Sequence, residues 1–443
     1  NNHFSDGKTA CLCSGKGSGG GGARGEHLIK NNTIQRCGEA GIAGADGLIF
    51  SVIEGNLIEE INPQKHFGGY ESGGIKIHGA VDVTITGNII RKVHAGASPS
   101  HPGIWIDWAG QGTRITGNVI YDIDQSGIEV EADHGPILID NNIVIGGGDS
   151  WNASENLVSV HNLYVDHAWT FSSGDGRTPG YNVPHTSNSA GTATINSSDD
   201  RHLNNIYINK GTSAVPQQSG YQCDYNVLWG GGGKTSWGDT HSIANGFSAA
   251  FAYVSQADGV DISFNADTAP TDVAAPLITR DLIGINKLTM QGIENHDGSP
   301  ITIDTDMIGA TRDATHPTAG PFEELVTGAN MYTFRAGAGV TSTASGGSTG
   351  AGGASGGSSA TAGSSAMGGS GAGTVGAAGA AGSSARAGSA GASSGAGSSG
   401  LGKTDQVSGS SCGCRLAPSH LRSSLLLSLL SLAALVSRRR RTR

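Results

Sequence analysis

The sequence has 443 residues with 73 glycines, and only 36% of its residues are hydrophobic and 14% charged, both low for an ordinary globular domain. The net charge of −10 argues against nucleic acid or another acidic polymer as a partner. The first residue is Asn1 and no signal peptide is visible, so we expect an N-terminal piece to precede this sequence.

Composition divides the chain into five segments. Residues 1–24 form a glycine-rich N-terminal extension. Strand-like patterns fill residues 25–235, and those in residues 236–335 predict β structure that completes or caps the first part. Residues 336–411 are almost pure Gly, Ala and Ser, a composition that cannot bury an apolar core and predicts a disordered, flexible linker. Residues 412–443 form a short tail with an apolar segment.

An internal repeat runs through the first 230 residues, in which a short alternating strand enters a turn that contains asparagine. Asparagines at the equivalent position are 24, 32, 30 and 24 residues apart, namely Asn32, Asn56, Asn88, Asn118 and Asn142. The pattern returns less regularly at Asn162 and Asn205. A period in the twenties with β-branched alternation predicts an all-β fold, a parallel β-helix of the pectate-lyase type. One asparagine per rung also predicts an internal side-chain ladder.

A second repeat inside the first has the pattern glycine, aliphatic, x, aliphatic, x. It occurs as Gly74-Ile-Lys-Ile-His78, Gly103-Ile-Trp-Ile-Asp107 and Gly127-Ile-Glu-Val-Glu131. Because side chains alternate along a strand, the aliphatic positions point into the solenoid and the x positions point out. Stacked rungs therefore predict two outward columns, one of Lys76, Trp105 and Glu129 and the other of His78, Asp107 and Glu131.

The second column places two carboxylates one rung apart, about 4.8 Å at the backbone. Asp107 and Glu131 cannot both ionise cheaply at that distance, so one pKa is expected to rise. The arrangement suits a glycosidase, and the spacing is near the roughly 5–5.5 Å of enzymes that retain anomeric configuration. Trp105 and Trp108 offer apolar faces on which a sugar ring can stack. Outward carboxylates on a β-helix are also common as solvated decoration, so the pattern by itself leaves the active site open.

Several ordered motifs resemble the β-xylosidases of glycoside hydrolase family 120. They extend over about residues 25–325 and include His66-Phe-Gly-Gly-Tyr-Glu71, Gly103-Ile-Trp-Ile-Asp-Trp108, Glu131-Ala-Asp-His-Gly-Pro136, Arg177-Thr-Pro179 and Pro184-His-Thr186. No single motif is specific for this family, but the whole set of motifs in this order is specific. The chain departs from the family in two respects: it has one residue more between the two carboxylates, and it lacks the long region before the first rungs, so subsite walls are expected to differ.

The resemblance implies a right-handed parallel β-helix that hydrolyses xylo-oligosaccharides from the chain end with retention and without a cofactor. It implies that Asp107 is the nucleophile and Glu131 the general acid/base. Residues near the sugar would be Glu71, Lys76 and His78, with Arg177 and His185 lining the same pocket. Glu129 is a second candidate for the acid/base, because alternation does not separate it from Glu131. Column alignment and the following His-Gly-Pro favour Glu131.

The C-terminal tail resembles the tripartite sorting signal of myxobacterial surface proteins. Cys412 and Cys414 precede an apolar run at residues 425–436 and an arginine cluster at residues 438–441. As a helix the apolar run would be about 18 Å long, short of the roughly 30 Å hydrocarbon core of a bilayer. We therefore expect export, transient membrane contact, cleavage by a processing protease and a surface tether through the linker. The alternative is an amphipathic or disordered tail.

The six cysteines fit an exported protein. Cys11 and Cys13 are too close in sequence to pair comfortably. Zinc binding by the cysteine pairs needs further spaced ligands that the sequence does not show, so no metal site is predicted.

Two other functions stay open at this point. A polysaccharide lyase would use a Lys or Arg base, for which Lys76 is available, and usually calcium, so EDTA would inactivate it and leave a hydrolase active. A catalytically silent carbohydrate-binding or adhesive surface protein would bind oligosaccharide without turnover. The sequence does not decide the sugar, the linkage or whether the chain forms oligomers.

Overall fold

The computed structural model describes residues 1–14, 25–45, 48–69, 72–96, 101–172 and 176–342. Glu71, the predicted sorting signal and the predicted linker beyond residue 342 lie outside the described residues. Among the residues that are described, no helix is long and apolar enough to cross a membrane.

Short strands follow one another through the N-terminal part of the chain, as β-branched and alternating segments favour. They are β1 (His3–Ser5), β2 (Leu12–Ser14), β3 (Leu28–Lys30), β4 (Thr33–Cys37), β5 (Ala40–Ala45), β6 (Val52–Glu54), β7 (Leu57–Ile61), β8 (Gly73–His78), β9 (Thr84–Thr86), β10 (Ile89–Val93), β11 (Ile104–Asp107), β12 (Thr113–Thr116), β13 (Val119–Ile123), β14 (Ile128–Glu131), β15 (Ile137–Asp140) and β16 (Ile143–Ile145).

The same pattern continues before the topology changes near residue 250. The following strands are β17 (Ser150–Ala153), β18 (Leu157–Val160), β19 (Leu163–Val165), β20 (Trp169–Phe171), β21 (Gly180–Asn182), β22 (Ser189–Thr192), β23 (Arg201–Leu203), β24 (Ile206–Ile208), β25 (Gln222–Asp224), β26 (Val227–Trp229), β27 (Ile243–Ala244), β28 (Ala252–Gln256) and β29 (Gly259–Ala266). Two one-turn helices, α1 (Ala269–Asp272) and α2 (Arg280–Ile283), precede β30 (Gly328–Arg335) and β31 (Gly339–Ser342).

From β1 to β20, successive strands go to three parallel sheets in turn, so each turn of this part of the chain adds one strand to each sheet. Within the described residues the first sheet has the order β1-β4-β7-β10-β13-β16-β19-β24-β26-β27, the second β2-β5-β8-β11-β14-β17-β20, and the third β3-β6-β9-β12-β15-β18-β23-β25. This architecture is a parallel β-helix, and the predicted fold is confirmed. Strands β1 and β2 lie within residues 1–24 and pair with the first and second sheets.

The interior of the solenoid is a column of aliphatic side chains. The inward positions of the second repeat are completely buried, namely Ile75, Ile77, Ile104, Ile106, Ile128 and Val130. The predicted asparagine ladder is also present: each side-chain amide donates to the side-chain oxygen of the asparagine one rung further on, at 2.9–3.2 Å. Its described members are Asn2, Asn32, Asn56, Asn88, Asn118, Asn142, Asn162, Asn205 and Asn226. The predicted members are confirmed, and the ladder extends one residue further at each end.

The C-terminal part of the chain covers two of the three outer faces. Strands β28–β31 form an antiparallel sheet, and Phe264, Phe322 and Tyr332 from this region pack with outward residues of the first sheet such as Val119 and Ile143. Aliphatic residues between positions 278 and 303 pack on the third sheet. The outward face of the second sheet carries charged and aromatic side chains instead, and this difference positions the candidate site.

One disulfide, between Cys11 and Cys37, is present among the described residues, with the Cα atoms 5.4 Å apart. It joins the approach to β2 to the end of β4 and closes the first described rung. Cys13 is exposed and Cys223 is buried.

Candidate active site

Both predicted outward columns exist on the second sheet. In the parallel register of β8, β11 and β14, Asp107 is aligned with His78 on one side and with Glu131 on the other. The neighbouring column is aligned in the same way, and its members are Lys76, Trp105 and Glu129. Because adjacent strands are about 4.8 Å apart, the backbones that carry Asp107 and Glu131 are one strand spacing from each other.

Two basic side chains hold Asp107 in place. The ammonium nitrogen of Lys76 lies 2.6 Å from Asp107 Oδ2, and His78 Nε2 lies 3.3 Å from the same oxygen. The Lys76 side chain is only 2% exposed and that of Asp107 9%, so little water screens their attraction. The other oxygen, Asp107 Oδ1, is buried without a hydrogen-bond partner among the described residues. A buried carboxylate oxygen in this condition calls for a functional explanation.

Glu131 is paired with a different cation. Arg177 Nη2 lies 2.5 Å from Glu131 Oε1, and the two side chains are 34% and 15% exposed. Burial and the negative charge of Asp107 raise the pKa of Glu131, while the Arg177 guanidinium opposes the shift. One carboxyl group is therefore ion-paired with lysine and its neighbour tends to keep its proton, as in a pair of nucleophile and proton donor.

The two glutamates that sequence alternation left unresolved occupy different environments. Glu131 is aligned with Asp107, whereas Glu129 is aligned with Trp105. Glu129 is 3% exposed, while the Glu131 side chain is 15% exposed and contacts Arg177. The register therefore favours Glu131 as the partner of Asp107.

Trp105 does not offer a free face to a sugar, and this part of the prediction is wrong. The residue is only 1% exposed, and the Lys76 ammonium lies 2.9 Å from the centroid of its ring. The ring therefore helps to hold Lys76 beside Asp107 through a cation–π contact. Trp108, just beyond the strand, is half-buried, and its ring centroid lies 5.7 Å from the Arg177 guanidinium carbon. Trp108 therefore stays the better candidate for stacking against a sugar ring.

Sequence reasoning missed the role of Asp133. This residue is completely buried, and its Oδ1 accepts a hydrogen bond of 2.5 Å from the backbone N–H of Gly110. Burial raises the pKa of Asp133 well above its usual range. A Cβ at Gly110 would lie 2.8 Å from Asp133 Oδ1, so the contact needs glycine there. Asp133 fixes the turn that follows Asp107, and alternation did not reveal it because β14 ends at Glu131.

The segment after Arg177 is anchored to the same end of the second sheet. The hairpin of β21 and β22 is antiparallel, and the backbone N–H of Asn182 donates to Gln111 Oε1 at 2.9 Å. His134 Nε2 lies 3.3 Å from the carbonyl oxygen of Pro179. These contacts explain how a residue 46 positions away reaches Glu131.

His185 belongs to a second cluster. Its Nδ1 lies 2.9 Å from Asp82 Oδ2 and its Nε2 lies 3.2 Å from Glu294 Oε2. Burial disfavours the imidazolium, but the two carboxylates outweigh this effect and raise the pKa of His185. The prediction placed Arg177 and His185 in one pocket. Arg177 contacts Glu131, whereas the described contacts of His185 are to residues of the second cluster.

A family model described as a right-handed β-helix region matches residues 1–164. The matched region contains the rungs that carry Asp107 and Glu131, and the match confirms a right-handed helix. No curated protein matches the chain.

Two solved structures are similar to this chain. A structure of XylC in complex with xylose is 27% identical, with a TM-score of 0.64, and the match covers 70% of this chain and 52% of XylC. The chain therefore spans about half the length of XylC. Pectate lyase Pel9A is 14% identical with a TM-score of 0.38, over 67% of this chain and 70% of that chain.

Proposed function

We propose that the chain is a carbohydrate-active enzyme, a retaining glycoside hydrolase that releases xylose from the end of β-linked xylo-oligosaccharides. The observation that carries the proposal is the register of Asp107 with Glu131, each with its own cation. The similarity to XylC, which was solved with xylose bound, supports a pentose substrate. His78 and Arg177, with side chains 26% and 34% exposed, offer polar contacts for sugar hydroxyls.

The geometry supports a two-step mechanism. In the first step Glu131 donates its proton to the glycosidic oxygen as the bond to the anomeric carbon breaks, and an Asp107 oxygen bonds to that carbon. In the second step Glu131 removes a proton from water, the water oxygen bonds to the anomeric carbon, and Asp107 leaves as a carboxylate. Lys76, whose ammonium nitrogen lies 2.6 Å from Asp107 Oδ2, stabilises the Asp107 carboxylate as a leaving group. Arg177 orients Glu131 and limits how far its pKa rises.

The experiment compares wild type with Asp107→Ala on 4-nitrophenyl β-D-xyloside. We expect wild type to release 4-nitrophenol and Asp107→Ala to be inactive. Azide should rescue this variant, because it fits the space of the missing carboxylate, and should give a xylosyl azide of inverted configuration. Asp122→Asn is the matched control, since Asp122 is an exposed carboxylate in β13 of the first sheet, and it should behave as wild type.

Two results would refute the proposal. If Asp107→Ala retains wild-type turnover, Asp107 is not the nucleophile. If wild type binds xylo-oligosaccharides but hydrolyses neither them nor related aryl pentosides, a silent binding function replaces catalysis.

We also propose that the protein is exported and held at the cell surface through residues 336–443. The disulfide between Cys11 and Cys37 supports an oxidising compartment. Mass spectrometry of the protein released from intact cells tests this: the apolar tail should be absent from wild type and present in a variant with both Cys412→Ser and Cys414→Ser. Retention of the tail in wild type would contradict processing at this signal.

A further inference from the structure

Three potential metal ligands meet beside the third sheet, away from the contacts of Asp107. Asp82 precedes β9, His185 lies between β21 and β22, and His296 lies in the segment that follows α2. One donor atom from each lies within 4.8 Å of the others, and this is the only such group of three found in the described part of the chain. The cluster cannot be recognised from the sequence, because Asp82 is 103 positions from His185 and 214 from His296.

Two of the three donor separations are close to those of a first coordination sphere. Asp82 Oδ2 lies 2.9 Å from His185 Nδ1 and 3.3 Å from His296 Nδ1. Two ligands of a tetrahedral zinc ion with bonds of about 2.0–2.1 Å are separated by about 3.3 Å. Only a small opening of the Asp82–His185 contact is therefore needed to admit the ion.

The residues behind the ligands are arranged as metal sites require. His185 Nε2 lies 3.2 Å from Glu294 Oε2, and Arg280 Nη1 holds the other oxygen of Glu294 at 2.9 Å. Asp82 Oδ1 accepts a hydrogen bond of 3.0 Å from Gln291 Nε2, which leaves Oδ2 facing the two histidines. Ligating histidines commonly give their second N–H to a carboxylate, which fixes the ring and raises its basicity.

Burial is graded across the cluster. The Asp82 side chain is 2% exposed, that of His185 16% and that of His296 55%. His296 also packs against Phe50, with the ring centroids 4.4 Å apart, so it is oriented although it is exposed. The His296 side of the cluster is open to solvent, from which water can supply a fourth ligand.

We propose that Asp82, His185 and His296 bind a divalent transition-metal ion of the zinc type. Two imidazoles and one carboxylate favour zinc over magnesium or calcium, which prefer oxygen ligands. The ion ties three segments that are distant in sequence, one of them the hairpin region that follows Arg177. Its role is to hold that region against the helix, so it is structural and takes no part in the hydrolysis proposed above.

The test measures binding directly on untagged, chelator-treated protein that retains all 443 residues. Titration calorimetry with zinc chloride should give one equivalent bound, and one equivalent of cobalt(II) should produce the visible absorption of a tetrahedral site. His296→Ala should abolish both signals. Glu294→Gln should weaken zinc binding about 10–100-fold, as loss of an outer carboxylate commonly does.

The matched control is His241→Ala. His241 is exposed and its Nδ1 lies 2.6 Å from Oδ2 of the half-buried Asp224; the loss of this imidazole should leave zinc uptake unchanged. Uptake of less than one equivalent by wild type, or equal uptake by wild type and His296→Ala, would overturn the proposal and leave Asp82 as a hydrogen-bond acceptor for two histidines. Because the readout is metal uptake, failure here is separate from failure of the hydrolase assay.

Discussion

Two columns of side chains run along the same rungs of this β-helix, and they differ in how their polar groups find hydrogen-bond partners. The asparagine ladder repeats one neutral residue, and each member bonds to the next at 2.9–3.2 Å. The column of His78, Asp107 and Glu131 changes residue at every rung and carries carboxyl groups on two of them. The first stacks identical groups that satisfy each other, whereas the second leaves Asp107 Oδ1 without a partner in the described structure.

The difference separates, within one repeat, a column suited to stability from a column suited to the proposed chemistry. A neutral amide has both a donor and an acceptor, so a stack of identical amides can be satisfied. Carboxylates only accept, so stacked carboxylates need cations, here Lys76 and Arg177. We infer that the ladder stabilises the helix and that the charged column costs stability in exchange for chemistry.

The largest effect is expected from breaking the charged column at Glu131. With xylobiose, whose leaving group needs a proton, Glu131→Gln should lower kcat/KM by about 10²–10⁴-fold. With 4-nitrophenyl xyloside the first step needs no protonation, so a burst of 4-nitrophenol should persist before slow turnover. Stopped-flow absorbance and product chromatography measure the two substrates. An equal loss on both, without a burst, would contradict the acid/base role.

Breaking the ladder should have the largest effect on stability. Asn118 donates to Asn142 Oδ1 and to the carbonyl oxygen of Ile85, and it accepts from Asn88. Asn118→Ala leaves these buried groups unpaired and should lower the free energy of unfolding by about 3 kcal/mol. Urea melts measure the change. The control Asn188→Ala removes an exposed amide and should change it by less than about 0.5 kcal/mol; similar losses in both variants would mean that the ladder is not special.

A third prediction concerns pH. Arg177 opposes the rise in the pKa of Glu131, so Arg177→Gln should raise that pKa further and keep the acid protonated to higher pH. The basic limb of the profile of kcat/KM against pH should therefore move to higher pH, whatever happens to the maximum rate. Lys92→Gln, which removes a cation near Glu60 in the first sheet, should leave the limb in place. A limb that stays fixed or moves to lower pH in Arg177→Gln would be inconsistent with this assignment.

The same shift predicts a smaller effect on stability. Because the pKa of Glu131 is higher in the folded chain than the ordinary 4.5, its contribution to stability is present below pH 4.5 and is lost as pH rises through the folded value. Glu131→Gln replaces the titrating carboxyl group with a neutral amide, so it removes this pH-dependent loss of stability. Relative to wild type, the variant should gain stability between pH 4 and pH 7.5 in urea melts, and a relative decline over that interval would refute the assignment.

The smallest effect is expected from an exposed pair between rungs. Lys30 and Glu54 lie 2.7 Å apart with side chains 44% and 36% exposed, so water and salt screen the pair. Lys30→Ala should change the free energy of unfolding by less than about 1 kcal/mol and leave activity unchanged. A larger loss would show that surface pairs contribute to rung stacking more than their exposure suggests.

Much of the solenoid was predictable because its rules are local. Alternation with a period of two buried Ile104 and Ile106 and pointed Trp105 and Asp107 outward. Repetition of the glycine motif then aligned Asp107 with Glu131, because parallel strands of one repeat stack in equal register. The ladder followed from the spacing of asparagines. The prediction failed at Trp105, where the sequence pattern shows that a side chain leaves the solenoid but not what covers it.

The residues by themselves determined the period, the inward and outward faces, and the carboxylates that share a column. Only the tertiary structure decided which glutamate contacts Arg177, that Asp133 supports the turn after Asp107, and that Asp82, His185 and His296 meet. The physical reason is the distance along the chain over which each kind of contact acts. Alternation and repetition act between neighbouring residues and neighbouring rungs, whereas these contacts depend on where the chain outside the regular rungs returns to the helix.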